Sequence, residues 1–176
     1  DLGLQTDAIF AGQFTNGGAA DGFDRLGAYG KQGGQYRWLL DLDNDGAIGN
    51  GDVNVVSSVQ VNGLPVAGDF DGVAGDEIGL FDGTTWYLDT TGDMVLDTTL
   101  PSDSSGLPIV GDFDGDGNDD LAVFSSSLDL FSFDLNLDGV VDATIGFGFP
   151  GVNERPFAGD YNLDGIDDIG LTTPNQ

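Results

Sequence analysis

The apolar positions of this chain fall into short segments that are separated by glycine, proline and aspartate. Segments such as PVAGDF, IGLF, TWYLD and LAVF are rich in β-branched and aromatic residues, a composition that favours strands. No part of the sequence combines a sustained helical period of apolar residues with helix caps. The pattern therefore predicts an all-β fold of short antiparallel strands.

Three long segments align without gaps and identify an internal repeat. They are LPVAGDFDGVAGDEIGLF (64–81), LPIVGDFDGDGNDDLAVF (107–124) and RPFAGDYNLDGIDDIGLT (155–172), and a divergent copy begins at Ala8. A second aspartate loop lies between successive copies. Each repeat therefore reads as strand, loop, strand, hairpin, strand, loop and strand. Four short strands in about 45 residues are typical of one blade of a β-propeller.

The repeats predict a single domain over residues 1–176, divided at approximately 8–63, 64–106 and 107–154, with a partial repeat at 155–176. The opening segment 1–7, DLGLQTD, aligns with the strand that follows a second loop, and we expect it to complete the C-terminal repeat. Completion within one chain would close a small four-bladed propeller. Completion between chains would build a filament, and an open repeat array is the remaining arrangement.

Composition limits the classes of function that this chain can have. The chain carries a formal net charge of -27 and only 4 basic residues, so it lacks the basic surface that nucleic acids require. Of the 31 acidic residues only Glu77 and Glu154 are glutamates, and aspartate is the acid that suits short turns and metal loops. Without cysteine or histidine, disulfides and thiolate ligands are excluded. No signal peptide or membrane-length apolar run is visible, which predicts a mature soluble product without membrane insertion.

Aspartates crowd into GDFDGDGNDDLAVF (111–124) at a spacing typical of calcium loops. Side chains at positions one, three, five and nine supply oxygen ligands, position seven supplies its backbone carbonyl, and glycine at position six permits a sharp turn. Three loops match this pattern throughout. Their predicted ligands are Asp112, Asp114, Asp116, the Asn118 carbonyl and Asp120; Asp134, Asn136, Asp138, the Val140 carbonyl and Asp142; and Asp160, Asn162, Asp164, the Ile166 carbonyl and Asp168.

Three further loops keep part of the pattern. Their predicted ligands are Asp41, Asp43, Asp45, the Ala47 carbonyl and Asp52; Asp89, Thr91, Asp93 and Asp97; and Asp69, Asp71 and Glu77. The 41–52 loop ends at position twelve like an EF-hand or dockerin loop, but its strand-like flanks favour an enlarged repeat loop. The first copy, with Gln13 and Thr15, is predicted to have lost its ion. We expect about four to six calcium ions in all; solvated aspartate turns are the alternative for any single loop.

The segment GDFDGDGNDDLAVF resembles the repeats of FG-GAP and VCBS type, which occur in extracellular adhesion and surface proteins and in the calcium-bearing blades of integrin-like propellers. The resemblance covers most of the chain through its repeats. It implies a calcium-stabilised propeller and an extracellular or cell-surface location. Such propellers usually have more blades than the four repeat starts found here, so the resemblance does not decide between a ring and an open array.

The sequence favours a structural or adhesive role, with calcium as a structural ion and self-association or neighbouring repeat domains as partners. An enzyme is not expected, because the serine clusters have no histidine to activate them and no phosphate-binding motif is present. A carbohydrate-binding module is the alternative, in which Tyr36, Tyr87 or a tryptophan would contact surface glycans. Trp38, Trp86 and Phe131 occupy one place in three repeats, which predicts packing between repeats rather than a sugar platform.

Overall fold

The computed structural model describes residues 7–15 and 21–173, and this part of the chain contains strands but no helix. The strands form small antiparallel sheets in which strand order follows chain order. The first sheet contains β1 (Ala8–Gly12), β2 (Arg25–Gln32), β3 (Gln35–Leu40) and β4 (Val53–Val56). The second contains β5 (Leu64–Gly68), β6 (Glu77–Phe81), β7 (Thr85–Leu88) and β8 (Thr98–Pro101).

The third sheet contains β9 (Leu107–Gly111), β10 (Asp120–Ser125), β11 (Leu130–Asp134) and β12 (Ala143–Gly146). The fourth contains β13 (Arg155–Gly159) and β14 (Asp168–Thr172). These sheets confirm the predicted all-β fold of repeated four-strand units. The single-domain organisation, the repeat limits and the choice between ring and array stay predictions. Residues 1–6 of the predicted completing strand lie outside the described residues.

Equivalent strands share one register. The glycine that ends the first strand of a repeat pairs with the residue that begins the second strand, as Gly68 does with Glu77, Gly111 with Asp120 and Gly159 with Asp168. The acidic segment between them is therefore the loop of a β-hairpin. Its first and last acidic residues are held at the end of the ladder, on neighbouring strands.

Backbone contacts divide the chain into two compact units, Asp1–Asp82 with Tyr87–Thr99 and Gly83–Trp86 with Leu100–Gln176. The core of the first unit contains Phe14, Tyr29, Trp38, Leu40, Ile78, Leu80 and Leu96. A core cluster of the second contains Ile109, Ala122, Phe124, Phe131 and Phe133. Trp38, Trp86 and Phe131 are all buried rather than exposed as a sugar platform, and their packing between repeats stays a prediction. Within the described ranges, no helix has the length and apolarity needed to cross a bilayer.

Candidate metal-binding loops

Acidic loops occur at two places in a repeat. The first loop joins the first and second strands, and the second loop joins the third and fourth strands. The first loops are residues 69–77, 112–120 and 160–168, and the second loops are residues 41–52, 89–97 and 134–142. The aspartate at position one either ends a strand or follows it directly, so the ladder of the sheet fixes its backbone.

The carboxylate at position one organises the backbone of its loop. Asp112 accepts hydrogen bonds from the N–H groups of Gly115, Asp116 and Gly117 at 2.7, 3.1 and 3.0 Å. The N–H groups at positions five and six bond in the same way to Asp41, Asp89, Asp134 and Asp160. These side-chain-to-backbone bonds curl each loop around its first carboxylate.

Two positions of the loop adopt left-handed backbone conformations. Position six is Gly46, Gly117, Gly139 and Gly165 in four loops, with φ of 81°, 93°, 83° and 88°. The predicted role of glycine in the turn is thereby confirmed. Met94 holds φ at 66° in the same position, and Leu137 and Leu163 hold φ at 54° and 63° in position four. Residues with a Cβ adopt this conformation at a cost, so the geometry of these loops overrides local preference.

A hydrogen bond closes every loop at its far end. The N–H of the second loop residue donates to the final carboxylate, from Phe70 to Glu77, Phe113 to Asp120, Leu135 to Asp142, Tyr161 to Asp168, Leu42 to Asp52 and Thr90 to Asp97, at between 2.8 and 3.4 Å. Asp52 at position twelve therefore accepts the same closing hydrogen bond that the other final acids accept at position nine. The strands β3 and β4 flank its loop, as the interpretation of an enlarged repeat loop requires.

Position five is tied to position seven. The Oδ1 atoms of Asp45, Asp116, Asp138 and Asp164 accept the N–H groups of Ala47, Asn118, Val140 and Ile166 at 2.8, 2.9, 2.8 and 3.0 Å. These Asx turns place the two predicted ligands of each loop next to each other. The role of the position-seven carbonyls as ligands stays a prediction.

In four loops, three carboxylates converge closely enough to hold a metal ion. The groups are Asp41, Asp43 and Asp45; Asp69, Asp71 and Glu77; Asp89, Asp93 and Asp97; and Asp112, Asp114 and Asp120, each with ligand atoms within 4.8 Å of one another. Asp52 and Asp116 lie outside these groups. Thr91 joins the third group, since its hydroxyl donates to Asp97 at 2.9 Å.

The other two complete loops do not gather three carboxylates in this way. Among the described residues, no such group forms in the 134–142 or 160–168 loop. Both loops have an amide at position three, Asn136 and Asn162, so only positions one, five and nine supply carboxylates. Each loop nevertheless folds its backbone around position one, through Asp134 and Asp160. The backbone of these two loops resembles that of the other loops, and each has three predicted carboxylate ligands, as the 69–77 and 89–97 loops do.

Two of the four groups border one cavity of the first unit. This cavity has a volume of about 380 Å³, and Asp71, Glu77, Asp89 and Asp93 line its acidic side. Phe14, Leu40, Leu42, Val53 and Met94 form its apolar wall. Among the described residues, no basic side chain lines the cavity, so its lining supplies no cation to the carboxylates there.

Burial changes the protonation of the carboxylates that close the first loops. Glu77 and Asp120 are only 8% and 3% exposed. Desolvation raises the pKa of Glu77 to about 8, against the opposing hydrogen bond from Phe70, and neighbouring aspartates raise it further. Desolvation likewise raises the pKa of Asp120 to about 7. Without a cation these two groups therefore retain protons close to neutral pH, and a bound cation would favour their ionised forms.

In two of the second loops, the pKa of the final acid is lowered instead of raised. Asp97 is exposed, and the hydroxyl of Thr90, which donates to it at 2.6 Å, lowers the pKa of this carboxyl. A hydrogen bond from the N–H of Gly49 at 2.6 Å lowers the pKa of Asp52. These final acids stay ionised without a metal because hydrogen bonds stabilise their charge.

Sequence reasoning missed the aspartate at position eight. Asp76 links two sheets of the first unit, because Gln13 donates its N–H to Asp76 Oδ2 at 2.8 Å and Asp76 donates its own N–H to the Gln13 carbonyl at 3.2 Å. In the second unit, Asp167 donates its N–H to the Asp112 carbonyl at 2.7 Å, and its carboxylate lies beside the Asp112 backbone. We call each of these paired contacts a latch. Aspartate at this position in all three aligned copies was the available signal.

A latch requires glycine on the neighbouring strand. A Cβ on Gly12 would lie 2.8 Å from Asp76 Oδ2, and a Cβ on Gly111 would collide with the carboxylate of Asp167. The glycine shared by the repeats therefore allows close approach of the next sheet. Burial raises the pKa of Asp76 and of Asp167, and in each case the backbone hydrogen bond of the latch opposes this shift.

The tyrosines of the carbohydrate-binding alternative already have partners. The ring of Tyr36 stacks on Tyr29 with centroids 5.2 Å apart and planes 7° apart, and Lys31 Nζ lies 5.2 Å from its centroid. The hydroxyl of Tyr87 donates to Asp82 at 3.2 Å. The stacking on Tyr29 covers one face of the Tyr36 ring, on which a sugar ring would otherwise stack.

Comparison of the chain with protein-family models, with curated proteins and with solved structures finds no match.

Proposed function

We propose that this chain is a calcium-binding structural repeat protein of the cell surface or extracellular matrix, in which the ions stabilise the loops of neighbouring sheets. The observation that carries the proposal is the convergence of three carboxylates, within 4.8 Å of one another, in each of four loops. The loops repeat at equivalent places between short strands. An arrangement that recurs in register with the fold is better explained by a shared ligand than by independent surface turns.

The donor set favours calcium over other metals. All side-chain donors in these loops are carboxylate, amide or hydroxyl oxygens, and the chain has no cysteine or histidine to bind softer metals. Calcium accepts six to eight oxygen ligands in flexible geometry, whereas magnesium requires a smaller octahedral shell. Loops that combine several carboxylates with backbone carbonyls fit the larger ion.

The charge balance supports a structural role for the ion. The chain carries 31 acidic and 4 basic residues, so protein cations cannot neutralise the loops. Folding brings these carboxylates together, and an ion that binds only the folded state stabilises it by mass action. The extracellular location and the adhesive role rest on the resemblance to FG-GAP and VCBS repeats. Extracellular calcium modules have dissociation constants of about 10⁻⁴–10⁻³ M, an affinity that exposed loops of this kind can provide.

Metal content tests this proposal. The protein is stripped with chelator, dialysed against calcium or magnesium, and analysed by mass spectrometry for metal per chain. We expect about four to six calcium ions and clearly fewer magnesium ions. A variant that carries Asp114→Ala, Asp43→Ala and Asp93→Ala provides the matched control and should lose ions from three loops. Less than one calcium per chain in excess calcium would overturn the proposal.

A further inference from the structure

The latch of the second unit connects two predicted calcium loops directly. Asp112 is the position-one residue of the 112–120 loop; its carbonyl accepts the N–H of Asp167 at 2.7 Å, and the Asp167 carboxylate lies beside its backbone. Asp167 lies between Ile166 and Asp168, the predicted position-seven and position-nine ligands of the 160–168 loop. The latch therefore connects the first predicted ligand of the 112–120 loop to the last two of the 160–168 loop. Asp167 itself is not a predicted ligand.

A second contact brings the same loops together. A Cβ on Gly115 would lie 2.9 Å from Ile166 Cγ1, so the backbone of the 112–120 loop packs against the side chain at position seven of the 160–168 loop. Asp167 and Asp168 also line a hollow of about 280 Å³ whose walls include Phe113, Phe133 and Ile169. The two loops are thus joined by the backbone bond of Asp167 to Asp112 and by the contact of Ile166 with Gly115.

We infer that the 112–120 and 160–168 loops bind calcium cooperatively and that the Asp167 latch transmits the coupling. This inference rests on the proposed function. An ion in the 112–120 loop orders Asp112, whose backbone orders Asp167 and with it the neighbouring ligand Asp168. The second ion then binds a loop that is already partly ordered and loses less conformational entropy. By linkage, each ion strengthens the binding of the other by the same factor.

The first unit contains a natural comparison. Its latch joins Asp76 to Gln13, whose side chain is an amide where the other first copies have the position-one carboxylate. Asp76 therefore connects the 69–77 loop to a segment that is predicted to bind no ion. Loss of this latch should leave the coupling between the 112–120 and 160–168 loops unchanged. A variant without the Asp76 latch is therefore a control with the same chemistry.

Residue-resolved calcium titration tests the coupling in the full chain. In ¹H–¹⁵N spectra the amides of Gly117 and Gly165, which donate to Asp112 and Asp160, report the two loops separately. Asp114→Ala removes a ligand from the 112–120 loop only, and we expect it to raise the calcium midpoint at Gly165 by about fivefold or more. Asp116→Asn is a milder second variant if Asp114→Ala impairs folding.

The latch variants identify the route of the coupling. Asp167→Ala removes the carboxylate beside the Asp112 backbone and keeps the backbone bond, so in this background Asp114→Ala should raise the Gly165 midpoint by clearly less than in the native chain. Asp167→Asn keeps an oxygen beside the Asp112 backbone and should retain the coupling, and Asp76→Ala should retain it as well. The inference is wrong if Asp114→Ala leaves the Gly165 midpoint unchanged in the otherwise native chain, or if its effect is undiminished in Asp167→Ala. If calcium shifts neither glycine amide at all, the proposed function fails at these loops and the coupling fails with it.

Discussion

The 69–77 and 112–120 loops occupy the same place in successive repeats and reach the same result from different sequences. In both, positions one, three and nine converge, and the residue at position two donates its N–H to the buried final acid. They differ at positions five and six, which are Val73 and Ala74 in the first and Asp116 and Gly117 in the second. The convergence of three carboxylates therefore depends on the hairpin register, whereas the number of oxygens available to an ion depends on position five.

Removal of the position-three carboxylate should separate the two loops most strongly. We expect Asp114→Ala to reduce the free energy of unfolding in excess calcium by about 2–3 kcal/mol, the value of one well-occupied site. Asp71→Ala should reduce it by about 1 kcal/mol or less, because the loop with Val73 offers fewer ligands and binds its ion more weakly. Urea unfolding of both variants with calcium measures the difference. Equal losses would show that position five contributes nothing to binding.

Position six should give the next largest effect. Gly117 has a φ of 93°, where a Cβ is unfavourable, so Gly117→Ala should destabilise the protein by about 1–2 kcal/mol. Ala74 is the corresponding residue of the other loop and has no positive φ. Ala74→Gly should therefore bring no gain. Thermal unfolding in chelator measures both changes without any contribution from calcium, and a stabilising Ala74→Gly would contradict the assigned backbone geometry.

The buried final acids predict a pH dependence in the absence of metal. The folded-state pKa values of Glu77 and Asp120, about 8 and about 7, lie above the ordinary values of 4.5 and 3.8. As pH rises through this interval the unfolded chain releases protons that the folded chain retains, so the free energy of unfolding falls. In chelator, stability should decrease from about pH 4 to about pH 8. Calcium requires the ionised acids, so its stabilising effect should increase over the same interval.

Two variants assign the pH dependence to the two loops. Asp120→Asn should remove the part of the decrease that ends near pH 7, and Glu77→Gln should remove the part that continues to about pH 8. Urea unfolding at a series of pH values in chelator provides the measurement. A metal-free stability that rises with pH in this interval would contradict the burial-driven shifts.

Much of the fold was predictable because the repeats carry consistent local signals. Branched and aromatic residues mark the strands, and the glycine at position six marks the turn of each complete loop. The left-handed backbone at Leu137 and Leu163 was not predictable, because both residues disfavour that conformation and only the surrounding loop imposes it. The pattern shared by the aligned copies therefore predicts the backbone conformation of a loop better than the conformational preference of any single residue does.

The candidate sites were less predictable than the fold. The sequence ranks the 134–142 and 160–168 loops as complete, yet three carboxylates converge in the 69–77 and 89–97 loops instead. The number of carboxylates does not explain this difference, because the 89–97 and 134–142 loops both supply them at positions one, five and nine and, among the described residues, only the first gathers them. The latch at Asp167 was missed because an aspartate among aspartates gives no sign that its partner lies on another sheet.

The smallest expected effect concerns position four. Leu163 is 88% exposed and holds a φ of 63°, whereas the equivalent residue of the 112–120 loop is Gly115. Leu163→Gly removes the unfavourable contact of the Cβ, and little buried surface is lost because Leu163 is exposed. The variant should therefore stabilise the protein by about 0.5–1 kcal/mol. Gly115→Leu is the reciprocal variant and should destabilise it, also because its Cβ would lie 2.9 Å from Ile166. Differential thermal unfolding in calcium measures the pair, and a destabilising Leu163→Gly would contradict strain at this position.

Thermal unfolding of the intact chain, with calcium and with excess chelator, tests the central claim most directly. Several sites that each contribute about 2–3 kcal/mol at saturating calcium imply that chelator lowers the Tm by on the order of 20–40 °C. Magnesium should restore only a small part of this loss, because the loops fit its octahedral shell poorly. Coincident unfolding curves in calcium and in chelator, at matched ionic strength, would contradict the account that calcium holds these loops and the sheets they connect.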